Sequence, residues 1–151
     1  MIDYRWLLCL RDVCKTKTDD FAGLGLIFAK NLDGLPCLPL IENKTLDFIS
    51  LNVDIIETLK LVSSYKSPYH DGFHIINPKT NTLTGLCYYI SPPIPKGFKI
   101  HTLNRIGARL MTALLTSKLP SVSYTVAISS QFDLTICRQG IISRISQENA
   151  A

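Results

Sequence analysis

A chain of 151 residues holds enough material for one domain with a buried core. A hydrophobic share of 46% against 19% charged excludes a disordered polypeptide. The formal charge of +4 suits anionic ligands such as nucleotides, but lysines and arginines are scattered without a long run, so no dedicated nucleic-acid surface is evident.

Cys9, Cys14, Cys37, Cys87 and Cys137 are odd in number, form no CxxC pair and mostly sit in apolar runs. They read as small buried hydrophobes of a reducing compartment, without zinc spacing. No cleavable leader is visible at the start, and no apolar run nears the roughly 20 residues of a membrane span. The expected setting is cytoplasmic, with no membrane partner.

Along the chain, Trp6, Leu7, Leu10, Val13 and Cys14 recur at helical spacing and predict a helix over 2–18. Leu24 to Ala29 is a short apolar run between turn signals, the pattern of a buried strand. The Asn31 to Gly34 turn leads into 35–39, held extended by Pro36 and Pro39. A second helix is predicted over 52–65, with Asp54 and Glu57 early, where the helix dipole favours acids. Residues 73–90 read as a hairpin around the Asn77 to Asn81 turn. Residues 101–119 give the clearest helix. Leu103, Ile106, Leu110, Ala113 and Leu114 form its apolar stripe, and Arg105, Arg109, Thr112 and Thr116 cluster opposite. Alternation from Val122 to Ser129 predicts a strand, and 134–138 pairs back. The fold class is therefore α/β of the α+β type, a mixed, mainly hairpin sheet flanked by helices. One domain is expected over 1–145, followed by a polar tail at 146–151.

Two local signals could carry chemistry. In Ser67-Pro-Tyr-His-Asp-Gly-Phe73, a carboxylate next to glycine opens a strand, and Gly72 leaves room for a ligand to approach the backbone. His70 and His74 lie nearby without a third metal ligand. In Arg105-Ile-Gly-Ala-Arg109, a glycine inside a helix costs roughly 1 kcal/mol relative to alanine, which implies a close approach to something. The two arginines, with Thr112, make a workable phosphate-binding face; its structural alternative is a solvated polar surface.

Read in order, Ser67 to Ile76, Leu86 to Tyr89, Ile106 to Arg109 and Val126 to Ser129 resemble the diadenylate cyclase domain, which condenses two ATP molecules into cyclic di-AMP. The resemblance is strongest over 65–142 and looser before it. It implies that Asp71, in the place of the Asp-Gly-Ala aspartate, holds the catalytic Mg or Mn and helps activate a ribose hydroxyl. It also implies that Gly72 and Phe73 border the nucleotide, that Tyr88 stacks on adenine, and that Gly107, Ala108 and Arg109 grip phosphates. Ser129 begins the segment that should supply an acid.

Departures concentrate at those functional positions. The phosphate motif's Thr, His and second Arg are Ala108, Leu110 and Met111, the acidic positions are Ser130 and Gln131, and Phe73 replaces an alanine. The reading is a nucleotide-binding or sensor domain, a pseudoenzyme bound to an adenine nucleotide or related signal. One alternative is an active, divergent cyclase needing ATP with Mg or Mn and two facing protomers of a homo-oligomer, with Arg105 as a substitute phosphate ligand. Another is an interaction module that binds no nucleotide.

Overall fold

The computed structural model describes residues 1–16, 20–42, 54–99 and 106–145. Helix α1 spans Tyr4–Lys15. Asp3 caps it by accepting the Trp6 N–H at 3.0 Å, and Leu7, Leu10, Arg11 and Cys14 are buried at helical intervals. Helix α2 spans Ile55–Val62; Asp54 caps it through the Ile56 N–H, and Thr58, Leu59 and Val62 face inward. Both helices are shorter than their apolar periodicity suggested, because a capping aspartate fixes each start.

Helix α3 spans only Ala108–Thr116, against the 101–119 expected. Residues 101–105, including Arg105, lie outside the described residues. Gly107 is the N-cap, in an extended conformation with φ −71° and ψ 163° and no side-chain cap. The cost of a mid-helix glycine therefore does not apply to it. Thr116, expected on a polar face, is fully buried.

Among the described residues, seven strands form one sheet: β1 (Leu24–Ala29), β2 (Cys37–Pro39), β3 (Phe73–Asn77), β4 (Thr82–Ile90), β5 (Val122–Ile128), β6 (Leu134–Arg138) and β7 (Ile141–Ile145). Their spatial order is β2-β4-β3-β1-β5-β6-β7, with β1 and β3 parallel and the other pairs antiparallel. Central β1 is buried along its whole length, as its unbroken apolar run predicts. Its alternation divides the core. Leu24, Leu26 and Phe28 pack with Leu7, Leu10, Leu59 and Val62 of α1 and α2. Ile27 and Ala29 pack with Ala113 and Leu114 of α3. The architecture is thus a seven-stranded mixed sheet with helices on both faces.

Strand β7 has no counterpart in the sequence reading. The Gln139-Gly140 turn, with φ 51° and 78°, returns the chain against β6. This turn puts Arg144 and Ile145 at the sheet end where β5 finishes and β6 begins.

Candidate functional site

At that sheet end a cleft of about 540 Å³ opens between the start of β1, the β5–β6 turn, the end of β7 and the first turn of α3. Its lining includes Ala22, Tyr65, Gly107, Arg109, Leu110, Ser129, Ser130, Asp133 and Arg144, floored by Ala127, Ile128 and Leu134.

Arg109 is seated by the backbone. Its Nη1 donates to the Ala22 carbonyl at 3.1 Å, and its guanidinium lies over Gly23, where a Cβ would collide with it. Gly23 has φ +88°, a conformation that glycine adopts without strain. Burial pulls the Arg109 pKa below its ordinary value, while electrostatic interaction with Asp71, and then with Tyr65, opposes that shift. Arg109 and Arg144 make no ion pair with another described residue. Because Gly107 caps nothing, the first turn of α3 also presents backbone N–H groups without a side-chain acceptor.

Ser129 is committed to the β5–β6 turn. Its Oγ accepts the amides of Gln131 at 3.2 Å and Asp133 at 3.1 Å. The turn is braced from outside by Phe132, whose ring stacks on Phe21 at 4.7 Å between centroids.

Of the residues singled out in the sequence, Gly107, Arg109 and Ser129 share the lining, and Ala108 is the first residue of α3 beside them. Asp71, Gly72, Phe73, Tyr88 and Thr112 are not on it. Asp71 is exposed just before β3, with Oδ1 accepting the Gly72 amide at 2.9 Å; its charge is felt at Arg109. Gly72 is required for another reason than ligand access. At φ +72°, a Cβ would sit 2.5 Å from the Tyr88 carbonyl oxygen and close to Leu40. Phe73 packs its ring on Gly25, and Tyr88, 4% exposed, packs its ring on Gly85, both within the core beneath α3. Thr112 is half-buried on α3. Tyr65 and Arg144 drew no attention in the sequence. Tyr65 is the last residue of the helix predicted over 52–65, and no local pattern marks the strand that carries Arg144.

His74 lies behind the site, 1% exposed, with Nδ1 accepting the Cys87 amide at 3.1 Å. Burial, and secondarily the Arg109 charge, push its pKa down to about 3, so the ring is neutral. Desolvation and then Asp71 raise the Cys87 thiol.

Asp71 offers one exposed carboxylate, with Oδ1 accepting the Gly72 amide, and the described residues contain no group of three His, Cys, Asp or Glu that could by itself hold an ion. Among the described residues no helix is long and apolar enough to cross a membrane.

No family model and no curated protein matches the chain. Solved structures are similar in fold, and two of them are as follows. One, described as a hypothetical membrane spanning protein from Bacillus cereus, aligns with a TM-score of 0.65 at 14% identity over 93% of this chain and 61% of its own. This chain thus spans less than two thirds of that protein's length. The other is a double mutant of DacA, a diadenylate cyclase from Staphylococcus aureus, with a TM-score of 0.57 at 21% identity over 95% of this chain and 85% of its own. At these identities the likeness is one of fold, and the fold is diadenylate-cyclase-like.

Proposed function

We propose that this chain is a nucleotide-binding domain that does not make cyclic di-AMP. One observation carries the reading: the guanidinium groups of Arg109 and Arg144 share one cleft with the uncapped start of α3. Two positive side chains beside backbone amides, Arg109 held on the Ala22 carbonyl and Arg144 exposed on β7, favour an anion of phosphate type, and the volume suits a ligand of nucleotide size. Arg144 supplies from β7 a cation of the kind that the sequence lacks at Met111. The diadenylate-cyclase-like fold adds weight to a nucleotide over other anions, as an argument from fold alone.

The same geometry speaks against chemistry. The carried-over carboxylate Asp71 stands outside the cleft lining, and Asp133 is the carboxylate on it. Polar motif positions are occupied by Leu110, which borders the cleft, and by Met111. No metal-dependent step is assigned to the domain.

The test combines calorimetric titration of the purified chain with ATP and incubation with ATP and Mn²⁺ or Mg²⁺. Binding should weaken at least tenfold on Arg109→Ala or Arg144→Ala, in line with the loss of a charge-assisted contact of roughly 1.5–3 kcal/mol, and no cyclic di-AMP should accumulate. Absence of binding would overturn the nucleotide reading. Sustained cyclic di-AMP production would overturn the non-catalytic half.

A further inference from the structure

We infer that Tyr65 is the platform on which the ligand's planar base stacks, so that the cleft selects nucleoside phosphates over bare polyphosphate. This inference rests on the nucleotide-binding reading and adds the part of the ligand that the arginines leave unread.

Tyr65 is the one aromatic side chain on the cleft lining among the described residues, and it remains 59% exposed there. The rest of the apolar lining is aliphatic, which offers no flat face to a base. Tyr65 is also held in place before any ligand arrives. Its N–H donates to the Asp20 carbonyl at 2.8 Å, and the Ala22 N–H donates to the Ser63 carbonyl at 2.8 Å. Between these bonds lies the antiparallel bridge of Phe21 with Ser64, reinforced by the Ser64 hydroxyl donating to Asp20. The ring leans on His70, 5.6 Å between centroids, and His70 is itself fixed by a 2.7 Å contact of Nδ1 with the Ser67 carbonyl. An exposed ring on an anchored backbone, with His70 beside it, loses less entropy when a base settles on it than one on a free loop.

The two aromatics that the order of motifs placed beside the nucleotide cannot serve without repacking. Tyr88 is 4% exposed and Phe73 5% exposed, and each ring lies against a glycine of the sheet. Tyr65 shares the lining with Arg109, so one ligand can place its base on the ring and its phosphates toward the guanidinium groups.

The experiment titrates the full chain with ATP, GTP and base-free tripolyphosphate, in wild type, Tyr65→Ala and Tyr65→Phe, with thermal melts showing that each variant is folded. Wild type should bind a nucleotide more tightly than tripolyphosphate. Tyr65→Ala should weaken nucleotide binding about tenfold, within the range of single base–aromatic stacks, and leave tripolyphosphate within twofold. Tyr65→Phe, which keeps the ring, should retain both affinities. Unchanged nucleotide affinity in Tyr65→Ala, or an equal loss for both ligand types, overturns the platform while the nucleotide reading stands. Failure of wild type to bind any of the three overturns both.

Discussion

Replacing His74 with Asn should remove much of the acid sensitivity of the fold. His74 is buried in β3, and its Nδ1 must remain unprotonated to accept the Cys87 amide. Its pKa is about 3 in the folded chain, against an ordinary value near 6.5 in the unfolded one. The folded-state value is the lower, so the unfolded chain binds the extra proton as pH falls. Stability is therefore full above about pH 6.5 and is lost progressively toward pH 3. At about 1.36 kcal/mol per pKa unit, the gap amounts to roughly 4–5 kcal/mol when fully expressed, and about 2 kcal/mol is already lost at pH 5. Asparagine is the appropriate replacement because its Oδ1 can accept the Cys87 N–H and does not titrate. Urea denaturation of both proteins at pH 8 and pH 5 measures the difference. Any cost of the smaller side chain appears at both pH values and drops out when the slopes are compared. If the variant loses as much stability as wild type between these pH values, the buried neutral imidazole is not the source of acid sensitivity.

Three further outcomes are expected. Gly107→Asp gives α3 the side-chain cap it lacks and should raise stability by about 0.5 kcal/mol; a carboxylate in the cleft should simultaneously weaken ATP binding, read by melting and calorimetry on the same sample. Thr116→Val should raise stability by roughly 1 kcal/mol in urea titration, because Oγ1 is buried without a hydrogen-bond partner among the described residues. Phe73→Ala should lower stability by about 3 kcal/mol through the cavity left over Gly25, without producing cyclic di-AMP.

The parts of the fold that were legible in sequence are those with strong local patterns. The unbroken apolar run of β1, the Asn-rich turn of the β3–β4 hairpin and the alternation of β5 each carry their own signal. Strand β7 does not. It is an edge strand whose residues are exposed or half-buried, so burial imposes no alternation on Ile141–Ile145. Arg109 was visible from its helix position, but its seat is the Ala22 carbonyl, 87 residues away. Tyr65 looked like the end of a helix because the pairing of Ser64 with Phe21 is a tertiary event.

Tyr88 shows how a correct strand can mislead about a site. Strand β4 is irregular opposite Phe73 and Ile75, and Cys87 takes φ +60°, rare for a residue other than glycine. The Cys87 amide is turned onto His74, and Tyr88 comes opposite Phe73 with both rings in the core beneath α3. The aromatic residue that the order of motifs selects is thereby used for packing. Phe73 follows the same logic: its ring occupies the space that Gly25 leaves open, so the bulky residue and the glycine beneath it form one packed unit. Gly72 then admits the Tyr88 carbonyl at a distance no larger residue allows. Gly72 and Phe73 are consequently bound into the core by these contacts, while Asp71 before them stays exposed. Arg109, Arg144 and Tyr65 instead hold side-chain surface on an open cleft, which is why recognition is assigned to them and structure to the segment after Asp71.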